Sequence, residues 1–233
     1  MDADGAAVRY ETAVVTGASR GLGLAVANAL AERGLRVVAA SRTPPPGGLE
    51  WVEADLSSPA SIETLFAEAR ERLGPVDVLV SNAGIGYVQP FEQDDPDEIR
   101  RVVDLNLTGA ILCARAVLPD MLERGRGLIV NVGSDLSRRY NTRMAVYTAT
   151  KFGLLGFSGS LMREVKDRGV DVVCVMPGVI DTAFGGFAEE GSRGAAEGIP
   201  AADLAQVVTG LLDVPAHMLV HELTVHPRGQ QGI

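Results

Sequence analysis

The stretch Thr12-Ala-Val-Val-Thr-Gly17-Ala-Ser-Arg-Gly21-Leu-Gly23-Leu-Ala-Val-Ala-Asn-Ala-Leu-Ala31 decides the fold. Thr12–Thr16 is a short, mostly apolar run ended by a glycine, the signature of a strand. From Gly21 onward Leu24, Ala27, Leu30 and Ala31 recur at helical spacing. A strand that turns through glycines straight into a helix lets the backbone approach an anion without Cβ obstruction. The free N–H groups and dipole of the helix start then favour negative charge. Gly17, Ser19, Arg20, Gly21, Leu22 and Gly23 therefore form a candidate phosphate cradle. The spacing Gly-x-x-x-Gly-x-Gly differs from the dinucleotide fingerprint Gly-x-Gly-x-x-Gly and lacks the Gly-Lys-Ser/Thr ending of a triphosphate P-loop, which argues against an NTPase.

Working outward, further strands are expected at Arg36–Ala40, Glu50–Ala54, Val76–Ser81, Gly127–Val132, Val170–Met176 and Leu219–Val225. Most are continuous apolar runs, the pattern of strands covered on both faces. Helices are expected at Gly21–Arg33, Pro59–Leu73, Asp94–Asp104, Leu107–Arg124, Tyr147–Arg168 and Pro200–Asp213, several ending at a glycine. Strands alternating with helical crossovers predict a single α/β domain over residues 1–233, built on a doubly wound parallel sheet. Ser41 to Leu49, with three consecutive prolines, is too short for a helical crossover and predicts an irregular link. Residues 182–198 carry five glycines and no periodicity, and read as a mobile substrate loop offering Phe184 and Phe187 as apolar contacts.

Composition narrows the function. The 233 residues are 46% hydrophobic and 22% charged, as in globular chains. The net charge of −9 disfavours a phosphate backbone as ligand, so no nucleic acid is expected. Residues 1–12 lack an apolar leader and no unbroken apolar run approaches 18 residues, so neither secretion nor a membrane span is expected. Cys113 and Cys174 sit in apolar runs as small hydrophobes, which suits a reducing cytoplasm.

About twenty residues past the glycine turn, a carboxylate would bind the ribose hydroxyl of NAD. Ser41 and Arg42 stand there instead. Arg42 together with Arg20 can pair with the 2′-phosphate of NADP(H), which makes NADP the expected cofactor and NAD the less favoured one; two solvated arginines are the plain alternative. Farther on, strand Gly127–Val132 runs into Gly133-Ser134, and Tyr147 and Lys151 fall at i and i+4 on one helical face.

Taken together, Thr16-Gly17-Ala18-Ser19-Arg20-Gly21-Leu22-Gly23, Asn82-Ala83-Gly84, Asn106, Ser134, Tyr147-x-x-x-Lys151 and Pro177-Gly178-x-x-x-Thr182 resemble the short-chain dehydrogenase/reductase family, in the family's order and over most of the chain. The resemblance implies a Rossmann-like sheet of order 3-2-1-4-5-6-7, with Asp55-Leu56 beside the adenine and Asn82-Ala83-Gly84 after the fourth strand. It gives Pro177, Gly178, Val179 and Thr182 a role near the carboxamide and diphosphate. It implies a catalytic tetrad of Asn106, Ser134, Tyr147 and Lys151, with Tyr147 and Lys151 also touching the cofactor. A homodimer or homotetramer built on Leu107–Arg124 and Tyr147–Arg168 is expected.

The chemistry follows residue by residue. A carbonyl oxygen gains a proton when hydride reaches its carbon, and Tyr147 is the expected donor and acceptor. Ionising a free Tyr at pH 7 costs about 4 kcal/mol. A unit positive charge at about 4 Å is worth roughly as much at an effective dielectric of 20, so Lys151 is expected to tune it. Ser134 would polarise the carbonyl. Asn106 resembles the family's helix Asn that supports a water relay to the lysine; as a bare residue it could equally be a helix-kinking or capping group.

Arg138, Arg139 and Arg143 could bind an anionic small-molecule substrate, though surface or interface arginines are the preferred reading. His217, His221 and His226 lack companions at ligand spacing, so no metal is expected. Ser134 lacks a Gly-x-Ser-x-Gly elbow, which disfavours a hydrolase. A non-catalytic NADPH sensor on the same fold remains the alternative, and the full tetrad argues against it.

Overall fold

The computed structural model describes residues 10–182, 184 and 198–230. Phe187 and most of the expected substrate loop, 182–198, lie outside the described residues. Seven parallel strands form one sheet in the order β3-β2-β1-β4-β5-β6-β9: β1 Thr12–Thr16, β2 Arg36–Ser41, β3 Glu50–Glu53, β4 Val78–Ser81, β5 Gly127–Val132, β6 Val170–Pro177 and β9 Glu222–Val225. Two short strands, β7 (Ile180–Asp181) and β8 (Ile199–Pro200), pair with each other beside it. They were not foreseen, since two residues carry no periodicity.

Register follows from packing. Val14 faces Val38 on one side and Leu79 on the other, and Leu79 faces Ile129. Because side chains alternate across a strand, Ala13 and Val15 face one layer and Val14 the other. The first layer is α1 (Gly21–Glu32) and α6 (Ala201–Thr209), whose Val26, Leu30, Leu204 and Val208 are buried. The second is α2 (Pro59–Leu73), α4 (Gly109–Arg124) and α5 (Ala145–Val165), with Phe66, Cys113, Val117 and Met121 against Val14 and Ile129. The irregular link expected after β2 is present; Gly47 and Gly48 turn it with φ of 90° and 80°.

Several boundaries differ from the sequence reading by a residue or a few, and three of them matter here. β4 begins at Val78 because the buried Asp77 is spent as a strut: its carboxylate accepts from the backbone N–H of Glu11 (2.8 Å) and Thr12 (3.3 Å) and pairs with Arg124. β9 begins at Glu222 rather than Leu219. The helices expected at Asp94–Asp104 and Leu107–Arg124 are one continuous run: α3 (Pro96–Val103) passes through a wide π turn, Asp104–Thr108, into α4. This run, Pro96–Arg124, is long and apolar enough to cross a bilayer by length and mean hydropathy, although charged residues such as Asp104 and Arg115 interrupt its apolar stretches. Its buried residues, among them Cys113, Val117 and Met121, lie on the sheet, as in a core helix.

Candidate active site

Where β1 and β4 lie side by side, the chain departs in opposite directions along the sheet, and a cleft of about 1270 Å³ opens past the strand ends. Such a switch point is where doubly wound sheets bind ligands. The glycine turn forms one wall. Gly17 has φ +67°, and a Cβ on it would sit 2.8 Å from the Ala83 Cα. Only glycine meets both demands. Asn82 pins the turn, its Nδ2 donating to the Thr16 and Gly17 carbonyls at 3.1 and 3.3 Å, while Thr16 Oγ1 accepts from the N–H of Asn82 and Ala83. No side chain caps the start of α1, so its first N–H groups remain available to an anion. Thr182 stands over the turn, its Cγ2 3.3 Å from where a Gly21 Cβ would be. The glycine cradle and its uncapped helix fit a dinucleotide diphosphate.

Ser19, Arg20, Leu22, Ser41, Arg42, Asp55, Leu56, Asn82, Ala83, Gly84, Pro177, Gly178 and Val179 line the same cleft. Neither Arg20 nor Arg42 forms an ion pair among the described residues. Ser41 donates its hydroxyl to the Thr43 carbonyl at 2.7 Å, which leaves Arg42 as the polar group projecting from that end of β2. The Asp55 carboxylate is held below its usual range by hydrogen bonds from Ser57, with Arg42 and Arg101 adding attraction. Gly23 does not line the cleft; a Cβ there would collide with the Gly17 carbonyl and the Asn82 amide, so its role is packing.

At the opposite end, Ser134, Tyr147 and Lys151 come together. Ser134 follows β5 and caps a short 3-10 turn, Asp135–Ser137. Its Oγ accepts from the Leu136 N–H, while Ser137 Oγ accepts from its own N–H. Tyr147 and Lys151 share one face of α5, and the Lys151 ammonium lies 5.6 Å from the Tyr147 ring centroid. The Tyr147 ring rests on Gly86, where a Cβ would come within 3.0 Å of it, and on Phe184 at a centroid distance of 5.9 Å.

Burial dominates the electrostatics. It pushes Tyr147 up to about 12, against a lowering by the Ser134 hydrogen bond, with the Asp135 charge raising it further. Burial likewise pulls Lys151 down to about 8. The expected tuning of Tyr147 by Lys151 is therefore not what governs the protein without a ligand. The ammonium donates instead to the Val132 carbonyl at 2.8 Å.

Asn106 lies behind the cleft wall, inside the π turn. Its Oδ1 accepts from the Ile85 N–H and its Nδ2 donates to the Ile85 carbonyl, both at 2.8 Å, with Thr150 Oγ1 at 3.3 Å. It brackets the loop after β4 and makes no direct bond to Lys151. Arg138 is paired with Glu222, Arg139 lines the cleft beside Asp135 at 3.5 Å, and Arg143 is exposed with φ 64°. Among the described residues no three His, Cys, Asp or Glu side chains gather at metal-binding distance. Sequence reasoning missed Arg101 and Gln230, which line the cleft but belong to no motif.

A short chain dehydrogenase family profile matches residues 11–192. The chain is 36% identical over 214 residues to the 3-oxoacyl-[acyl-carrier-protein] reductase FabG of Vibrio cholerae, covering 88% of this chain and 85% of that protein. The Escherichia coli K12 protein of the same name is 36% identical over 209 residues, covering 86% and 83%. Among solved structures, an alcohol dehydrogenase from Thermococcus sibiricus complexed with 5-hydroxy-NADP superposes with a TM-score of 0.88 at 29% identity, over 97% of this chain and 100% of that one. A metagenomic short-chain oxidoreductase in complex with NADP gives 0.81 at 31% identity, over 94% and 98%. With that profile over most of its length and the same strand order, the chain is a member of the short-chain dehydrogenase family, an oxidoreductase built on a nicotinamide-binding sheet.

Proposed function

We propose that the chain is an NADPH-dependent oxidoreductase that interconverts a small-molecule carbonyl and the corresponding alcohol, with Tyr147 as proton donor. The observation that carries this reading is the meeting of Ser134, Tyr147 and Lys151 at one end of a cleft whose other end holds Arg20 and Arg42, which form no ion pair among the described residues. The solved relatives with NADP or 5-hydroxy-NADP support the cofactor choice.

Gly17, Ser19, Gly21 and the start of α1 would hold the diphosphate, Arg20 and Arg42 the 2′-phosphate, and Pro177, Gly178, Val179 and Thr182 the carboxamide end. NADPH, when bound, supplies the hydride to the carbonyl carbon. Ser134 and Tyr147 orient the carbonyl oxygen between two hydroxyls, and Tyr147 gives it a proton. A phenol near 12 is fully protonated at pH 7, the form that reduction needs. Lys151, on the same face of α5 and mostly protonated at pH 7, sets its positive charge beside the tyrosinate that forms as the proton leaves. Asn106 keeps the loop carrying Ile85 and Gly86 against the Tyr147 ring. A cytoplasmic homo-oligomer built through α4 and α5 is part of the same proposal.

The test is NADPH consumption across aldehydes, ketones, quinones and keto acids. Steady turnover of at least one carbonyl, lost in Tyr147→Phe, is expected. Tight NADPH binding with no turnover of any of them would overturn the enzyme in favour of a sensor.

A further inference from the structure

Gln230 lies 95 residues from Asp135 in the chain, yet its Nε2 donates to Asp135 Oδ2 at 2.8 Å, and its Oε1 accepts from the Val179 N–H at 3.1 Å. The other oxygen of Asp135 accepts from Ser134 Oγ at 3.1 Å. One side-chain amide thus connects the turn bearing Ser134 to the Pro177–Val179 turn across the cleft. Gly178 makes room for it, since a Cβ there would run into the Gln230 amide and come within 2.8 Å of His226.

We propose that Gln230 is a positioning residue, a cross-strap that fixes Ser134 relative to the 177–179 turn. This rests on the oxidoreductase reading, in which one turn holds the carbonyl oxygen and the other the carboxamide end of the cofactor. Their separation sets the hydride distance, and a shift of about 1 Å can cost roughly a hundredfold in rate. The side-chain chemistry is specific. Val179 needs an acceptor and Asp135 a donor, and an amide of this length offers both, whereas a carboxylate only accepts and an aliphatic side chain does neither. Without the strap, Asp135 is left to Arg139 of its own turn at 3.5 Å and to His226, after β9, at 3.8 Å. Its hold on the Ser134 hydroxyl loosens with it.

Two variants test this. Gln230→Leu removes both bonds. It should lower kcat about tenfold or more, change the NADPH dissociation constant less than about threefold because the glycine turn and arginines are untouched, and speed exchange of the Val179 amide proton about tenfold. Gln230→Glu puts a second carboxyl against Asp135, so one of the pair holds its proton to higher pH. The groups facing it are Asp135 and Arg139 from the Ser134 turn and His226, with the Arg138–Glu222 pair beyond. While protonated, the Glu carboxyl donates to Asp135 as the amide does. Activity relative to wild type should therefore be near one at about pH 5 and fall toward the Leu variant by about pH 8. A kcat within twofold of wild type in Gln230→Leu, or a flat ratio for Gln230→Glu, would overturn the strap. If the wild type turns over no carbonyl, the reaction assignment fails by itself and Val179 exchange decides: unchanged protection in Gln230→Leu removes the strap, faster exchange keeps it.

Discussion

Replacing Lys151 by Met should flatten the dependence of stability on pH while stopping turnover. Lys151 is 4% exposed, and its ammonium finds a single hydrogen-bond partner, the Val132 carbonyl, and no ion pair among the described residues. Burial lowers it from 10.5 to about 8. Between those values the unfolded lysine carries a proton that the folded one has lost, so stability rises with pH across that window. The drop corresponds to about 3 kcal/mol against the charged folded form, of which about 2 kcal/mol is recovered between pH 7 and pH 9.5. Met has similar length and no charge, so its stability lacks this rise. It also loses the Val132 hydrogen bond, worth about 1.5–3 kcal/mol to the charged ammonium and about 1 kcal/mol to the neutral amine, a difference already contained in the folded pKa. The diagnostic is therefore the slope. Urea unfolding of the cofactor-free proteins at pH 7 and pH 9.5 should show wild type gaining about 2 kcal/mol relative to the variant. A difference constant to within about 0.5 kcal/mol would mean that the folded lysine titrates as the unfolded one does, and would refute its desolvation.

Tyr147→Phe should abolish turnover while leaving NADPH affinity within about threefold, because a single hydroxyl is removed from a ring already packed on Gly86 and Phe184; normal turnover, read by NADPH consumption, would remove Tyr147 from the chemistry. Arg42→Asp should reverse a preference for NADPH over NADH, since each lost charge-assisted bond costs about 1.5–3 kcal/mol, or roughly ten- to hundredfold in affinity. Competitive cofactor titration checks it, and equal use of both cofactors by the wild type contradicts it. Gly23→Ala should destabilise by about 3 kcal/mol, because the new methyl meets a backbone carbonyl that cannot swing away. Thermal melting should fall by roughly 6–12 °C, and an unchanged melting temperature would mean that the turn yields.

The parts of this molecule legible in sequence are those in which neighbours in the chain act together. β1, β5 and β6 announce themselves because strands covered on both faces are apolar at most positions. Tyr147 and Lys151 sit one helical turn apart and could be placed on one face without coordinates. What was not legible depends on distant partners. Asp77 looks like the first residues of a strand until Glu11 and Arg124 are seen to claim its carboxylate. Arg138 reads as a free cation until Glu222 of β9 reaches it. The π turn was hidden because a widened turn changes hydrogen bonding and leaves composition untouched.

That turn has a practical consequence for anyone who works on the outward side of α4. A helical wheel started at Val102 in α3 and continued at 100° per residue reaches α4 about one position out of phase. It would point inward at Asp120, whereas the fully enclosed residue is Met121. Surface substitutions, crosslinks or labels on α4 should therefore be counted from Gly109. Deleting one residue within Asp104–Thr108 would close the wide turn to an ordinary α-helical one and leave Cys113 and Val117 facing the sheet, at the expense of the Asn106 position that brackets the Ile85 loop.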